Sequence, residues 1–521
     1  MMSFVKSSFC CLAAFLFASS LFAQTTTNWI VQDGLWGDPA SWDNGIPVGN
    51  FVANIGNSGG EVVHDIEVHT LFELNLNGDE NVTNLLLDEA LTVMNFSWDG
   101  GVIGGPGMFT LLDYGEVSNG ILNTDVANFG HVTFGADGSF ANLDNEVPVS
   151  WINMPGSVMD IDGGILVGNF TNPVVGQITN LVDSKMCLFG PSAQFNWNVS
   201  NLGTIEINSI VLFLGDFAQI SSGRLDLKGG TADFFNNVFF EGELTGEGSV
   251  LNMGGAEISG TIAPGNSEIG FMQFGGGPVM NELTVTNLQI GPNNVADEIS
   301  NLGGGMQLDG TLNVEALEGA TPGTYQLFTF NNGFQFENNL ELGRLPIGFV
   351  GNLFTDLASM SVNLQVDQLD SVRQVDDFAL IRGQLKNGDI DSLVSADSDS
   401  IEIGSVPFVN RPKGRSLAVI ELEAALDGEN LSALTMRIES SGSVPMRQRV
   451  ELFNFDSNEF EQVSDFGISP VEQLNDIRAS GDVNRYVDSE NLVRARISFQ
   501  PNLPQANSWS AELNQVHFAI R

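Results

Sequence analysis

The sequence predicts an all-β protein in two unlike parts, an array of very short strands followed by a module of longer antiparallel ones. Three observations lead there. From Gly246 to Phe330, apolar pairs and singles such as Val250-Leu251, Ile258, Ile262 and Phe271/Phe274 are punctuated by Gly or Gly-Asn every few residues. No window has helical spacing, so this reads as short strands joined by tight turns. After residue 377 the strands lengthen and alternate cleanly, as in Leu434-Thr-Met436-Arg-Ile438 and Val493-Arg-Ala495-Arg-Ile497-Ser-Phe499. Finally, Gly (59) and Phe (37) are abundant while only 16% of the 521 residues are charged, against about 25% in an average domain. That composition suits turn-rich coils with a stacked apolar interior, in a chain long enough for two to four domains.

The first 23 residues read as a signal peptide. Lys6 supplies the positive end, Cys10 to Phe22 the apolar core, and Leu21-Phe22-Ala23 a cleavage site before Gln24. The run is too short to span a bilayer. Cys10 and Cys11 open the apolar core, whereas a lipidated cysteine would follow it. Once they leave, only Cys187 remains, so no intrachain disulfide is expected in the exported chain. Its setting, Lys-Met-Cys-Leu-Phe, suggests a small buried apolar side chain.

Residues 24–59 hold Trp29, Trp36 and Trp42 among Asp-Pro and Asn-Gly turns. The end of a stacked array exposes its core, so terminal units must be atypical caps. A Trp-rich cap is the expectation; the alternative is an aromatic sugar platform. Residues 60–279 are the candidate coils. Val126-Ala-Asn128-Phe-Gly130-His-Val132 matches Val199-Ser-Asn201-Leu-Gly203-Thr-Ile205, each an Asn-x-Gly turn before a strand. In Arg224-Leu225-Asp226-Leu227-Lys228 the leucines should face the core and the charges the solvent. No strict repeat length is evident. At about 20–25 residues per coil, nine or ten coils about 4.8 Å apart would make a rod near 45 Å long. Residues 280–366 are expected to close the array, with period-two strands at Leu283–Leu288 and Met360–Val366. Residues 367–376 form a polar linker, and 377–521 an antiparallel β-sandwich.

The passage Gly246/Gly248, Gly260-Thr-Ile262-Ala-Pro264-Gly265-Asn266-Ser267, Leu308-Asp-Gly310-Thr-Leu312-Asn-Val314, Pro322-Gly323-Thr324-Tyr325 resembles the end of autotransporter-type passenger regions and related secreted bacterial solenoids. The resemblance covers roughly residues 240–330 and extends loosely to the Trp-rich segment. It implies a right-handed parallel β-helix and no particular activity. The sequence shows no translocator barrel, hydrophobic tail or sorting motif before it stops at Arg521, and so departs from autotransporters proper. Gly481-Asp482-Val-Asn-Arg485-Tyr486-Val487 followed by Val493-Arg494-Ala495-Arg496 resembles C-terminal modules of other secreted bacterial proteins, with no activity implied.

Charge narrows the function. The net charge is −45. From Gln24 to Gly343 there are three bases (Lys185, Arg224, Lys228) against 38 acids; from Arg344 onward there are 15 bases and 26 acids. Such a surface repels nucleic acid and anionic membranes and suits divalent cations. It would also repel the polyanionic substrates of a polysaccharide lyase, a reaction that needs a base and cations around the carboxylate. A hydrolase needs carboxylates converging on a groove. Asp160-Ile-Asp162 puts two on one strand face about 7 Å apart. Asp160 and Asp162, with Asp397 and Asp399, are the candidate ligands for a structural calcium, although two acids at i, i+2 make only part of its shell. His64 and His69 are five apart and would face opposite sides of a strand; His131 and His517 stand alone. Arg411-Pro-Lys413-Gly-Arg415 is the densest basic run, a solvated loop or a docking segment.

The expectation is an exported, elongated, non-enzymatic structural or adhesive protein of the envelope or extracellular space, whose partners are extracellular polysaccharide or surface proteins. Two alternatives stand beside it. One is a carbohydrate-active enzyme with a carboxylate groove. The other is a neutral-glycan binder using Trp197, Trp509 or the N-terminal tryptophans.

Overall fold

The computed structural model describes residues 24–520 apart from 57–59, 68, 78–83, 136–139, 142–148, 163–165, 168–175, 332–335, 347, 369–370, 394–399, 405–416, 427–430, 471–472 and 503–508. The signal segment, Asp397, Asp399 and the Arg411–Arg415 run therefore lie outside the described residues. The expected parallel β-helix followed by an antiparallel β-sandwich is what the chain forms, with a solenoid of about 10 turns.

Three strands make each middle coil. Val149–Asn153, Val158–Asp162 and Leu166–Val167 pair in parallel with Gly176–Asn180, Lys185–Phe189 and Ser192–Phe195 of the next coil. Alternation turns every second residue inward, where like residues stack. Phe195, Phe213 and Phe234 stack with centroids 5.4 and 5.0 Å apart and ring planes within 14°. Beside the aromatic stack runs a polar one. Asn128, Asn153, Asn180, Asn201 and Gln219 are all buried, and each amide nitrogen donates to the next side-chain oxygen at 3.2, 3.3, 2.9 and 2.9 Å. The two Asn-x-Gly segments seen in the sequence are two rungs of this ladder. Buried amides are tolerated because their donors and acceptors are satisfied.

Parallel pairing begins at Thr25–Asn28. Trp29, Trp36 and Trp42 are 8%, 0% and 3% exposed and meet edge to face at 5.0 and 4.9 Å. His64 completes the cluster, its ring 5.2 Å from that of Trp36. These residues plug the end of the core, as a cap must.

At the other end, Gly323–Phe330 pairs in parallel with Glu298–Asn301 and antiparallel with Ser361–Gln368, which pairs in turn with Phe349–Asp356. This hairpin covers an edge that would otherwise recruit another strand. Here the structure departs from the expected linker. Within residues 367–376, Ser371–Gln374 is a strand paired with the last strand of the sandwich. Its alternation was too short to distinguish from a polar loop.

The sandwich packs a six-stranded sheet on a five-stranded one. Ile420, Leu422, Ile438, Val450, Ile497, Phe499, Val516 and Phe518 are fully buried between them. The Gly481–Val487 motif is one corner of this core. Asp482 caps a short 3-10 turn by accepting from Asn484 N. The Asn484 side chain ties both backbone groups of Leu431, and buried Tyr486 donates to Glu461 at 2.9 Å. The motif is architectural.

Candidate functional site

Asp160 and Asp162 do face out together from Val158–Asp162, half-buried. The parallel register places Asp160 beside Thr133 on one side and Cys187 on the other. Continuing that register aligns two outward columns. One reads Tyr114, His131, Val158, Lys185, Thr204, Arg224, Glu243; the other Glu116, Thr133, Asp160, Cys187, Glu206, Asp226, Thr245. One sheet face thus gathers Lys185 and Arg224, with Lys228 further along the Arg224 strand.

Each base has a carboxylate. His131 Nε2 lies 2.7 Å from Asp160 Oδ2, and Lys185 Nζ 2.9 Å from Glu206. Arg224 reaches Asp226 at 3.2 Å and Glu243 at 3.6 Å, and Lys228 reaches Asp226 at 2.8 Å. Leu225 and Leu227 point into the core as the alternation predicted. Asp226 departs from it, since it faces outward yet is only 3% exposed. The two flanking bases cover it, and Asn266 closes over them. That residue, held at φ +67°, accepts from Arg224 at 2.6 Å and from Thr245 at 2.8 Å. The Pro264-Gly265-Asn266 turn thus lids a charge cluster.

Cys187 is likewise not interior. It sits half-buried on the outward face, 3.9 Å from Glu206 Oε2. Desolvation pushes its thiol up to about 12, against the opposing pull of Lys185. A thiol so placed is a poor nucleophile.

Among the described residues no group of three or more His, Cys, Asp and Glu side chains is gathered as a metal shell. His64 is buried, with Nδ1 3.2 Å from Glu89 O, and His517 is buried in the sandwich. The His69 side chain lies outside the description. The tryptophan platform is ruled out: Trp197 and Trp509 are 3% and 1% exposed, and with the N-terminal three they fill cores.

Besides Asp226, the solenoid buries Asp297, which is fully inaccessible to solvent. Burial pushes it up to about 7, although Gly270 N and Gln289 N donate to it at 2.7 and 2.6 Å and pull the other way. A raised carboxyl favours the protonated fold. Its contribution is fully present below the unfolded value of 3.8 and is lost as pH rises through 7. Asp43, Asp356 and Asp465 are lowered, chiefly by hydrogen bonds from Asn28, Ser359 and Arg447 respectively. They work in the opposite sense, losing their contribution as the solution becomes acid. Thermal melts from pH 5 to 8.5 should therefore show the advantage of wild type over Asp297→Asn shrinking as pH rises. A constant difference would refute the shifted carboxyl.

On the outer face of the five-stranded sheet, arginines again meet acids across strands. Arg494 reaches Glu423 at 2.8 Å and Arg496 reaches Glu421 at 2.5 Å, while Arg447 and Arg449 share Asp465. Arg496 also lies over the Phe460 ring at 3.7 Å. Rod and sandwich meet through Arg437, 9% exposed. It donates from Nε and Nη2 to the two oxygens of Asp476 at 2.6 and 2.7 Å, and to the carbonyl of Leu345 in the closing segment of the solenoid. Beside this contact lies a cleft of about 500 Å³.

These features define an acidic β-solenoid carrying a β-sandwich. No family profile matches the chain, and no curated protein matches it. Among solved structures it is similar over part of its length to carbohydrate-binding modules. A family 61 module in complex with β-1,4-galactotriose shares 7% identity, covering 29% of this chain and 90% of that one, with a TM-score of 0.18. A family 4 module shares 12% identity over 25% of this chain and 88% of its own, with a TM-score of 0.18. A family 29 module variant shares 9% identity over 33% and 92%, also with a TM-score of 0.18.

Proposed function

We propose that the chain is an exported, non-enzymatic structural or adhesive protein of the envelope or extracellular space. In this reading a stiff acidic rod presents a β-sandwich at a distance, and the partner is an extracellular polysaccharide. The observation that carries it is the Arg437 junction. A buried guanidinium with both arms on Asp476 and a third bond to the Leu345 carbonyl holds the sandwich in one orientation. The charge supports the partner class. Polyanions are repelled by the rod's excess of acids, and a neutral polymer is not.

A carbohydrate-active enzyme is the second reading. It is favoured by the exposed His131–Asp160 pair, flanked by the Tyr114 ring at 6.0 Å, an arrangement suited to proton transfer. Affinity electrophoresis of residues 24–521 through gels containing polysaccharides, with calcium and with chelator, separates the two. The expected result is a retarded band with no clearing of the gel. A cleared zone would establish an enzyme. Unchanged migration across a broad panel would remove the polysaccharide partner. Retardation lost in chelator would bring calcium back, at Asp160/Asp162 or Asp397/Asp399.

A further inference from the structure

We propose that the cleft at the junction of rod and sandwich binds a short neutral saccharide; the inference rests on the polysaccharide reading above and gives it a site. The cleft holds about 500 Å³, within the usual range of roughly 300–1,000 Å³ for small-ligand sites, which favour domain boundaries. Its two walls differ in chemistry. The solenoid side supplies Leu342, Leu345 and Phe349, an apolar surface suited to the C–H face of a pyranose. The sandwich side supplies Thr435 and Arg478, directly opposed across neighbouring strands, and then Asp476, opposed to Arg437.

The polar groups are only partly used. Thr435 lines the cleft and its Oγ1 is buried with no protein partner, so a ligand satisfies that hydroxyl once the side chain turns toward the cleft. Among the described residues Arg478 forms no ion pair, leaving its fork of donors available. Asp476 is charge-matched by Arg437, yet each carboxylate oxygen retains accepting capacity. A wholly apolar ligand would leave these groups unmet, and a multivalent anion would lie against Asp476. A sugar ring, apolar on its face and hydroxylated at its rim, meets both walls.

The test is calorimetric titration of the full mature chain with maltotriose, cellotriose, mannotriose and β-1,4-galactotriose, with a uronate trisaccharide as contrast. Wild type should bind at least one neutral trisaccharide. Arg478→Ala and Thr435→Val, which leave the Arg437 contact intact, should each weaken binding about tenfold. Asn352→Leu, on the opposite wall, serves if either variant fails to fold by circular dichroism. Binding unchanged in the variants would put the ligand elsewhere and overturn the site, and a preference for the uronate would overturn the neutral class. If no trisaccharide binds while polysaccharide gels still retard the chain, the cleft proposal fails and the polysaccharide reading survives. If trisaccharide binding fails in the variants while gels show no retardation, the cleft stands and only the polymer partner is lost.

Discussion

Asn180→Leu should destabilise the solenoid by about 4 kcal/mol, among the largest effects of any single substitution in the rod. Leucine matches the shape but removes a node of the ladder. Asn180 Oδ1 accepts from Asn153 at 3.3 Å and from Ser184 at 2.7 Å, and its Nδ2 donates to Asn201 at 2.9 Å and to Thr204 O at 3.1 Å. Substitution leaves the buried Asn153 amide without its acceptor and the buried Asn201 Oδ1 without its donor, each at about 1–3 kcal/mol, while Ser184 keeps its bond to the Leu181 carbonyl. Asn180→Asp should be worse at neutral pH and partly relieved in acid, because it places an unpaired charge in the stack. Ser200→Ala, on the outward face nearby, is the control and should stay within about 0.5 kcal/mol. Denaturant unfolding checks all three. If Asn180→Leu melts with wild type, the ladder is an ornament of the packing and stability resides in the phenylalanine stack.

Arg437→Met should uncouple the two parts at a cost of about 2 kcal/mol, in the range for losing charge-assisted hydrogen bonds when the arginine is buried and its partner Asp476 is exposed. Asp476 would be left ionised against an apolar neighbour, and the Leu345 carbonyl would lose its donor. Calorimetry of wild type should show rod and sandwich melting with mutual dependence. The variant should show two independent transitions, and small-angle scattering should report a wider spread of shapes. Unaltered melting and scattering would mean that the Ser371–Gln374 strand alone sets the orientation.

The architecture was largely legible because it rests on local pattern. Period-two alternation in Arg224–Lys228 places Leu225 and Leu227 correctly, and the three N-terminal tryptophans read as a cap because a stack must end. What the sequence hides is register. Asn128, Asn153, Asn180, Asn201 and Gln219 are separated by 25, 27, 21 and 18 residues, because turns of different length intervene between coils. The ladder therefore shows no repeat, although two of its rungs were visible as Asn-x-Gly. The same irregularity hid the charged face: His131 and Asp160 meet only once the coils are stacked. The outward position of Cys187 is hidden too, because a Met-Cys-Leu run gives no sign of which side of the sheet is inside. The junction lay furthest from view, since Arg437 and Leu345 are 92 residues apart.

The direction of the coil-to-coil hydrogen bonds has a mechanical meaning. In a parallel solenoid they run along the rod, as do the side-chain bonds of the ladder. A pull on the sandwich, transmitted through Arg437 to the closing segment, loads these bonds head-on and in succession instead of all at once in shear. Such a rod yields one coil at a time. Opening one coil of about 20 residues in this way would release roughly 70 Å of chain at about 3.4 Å per residue.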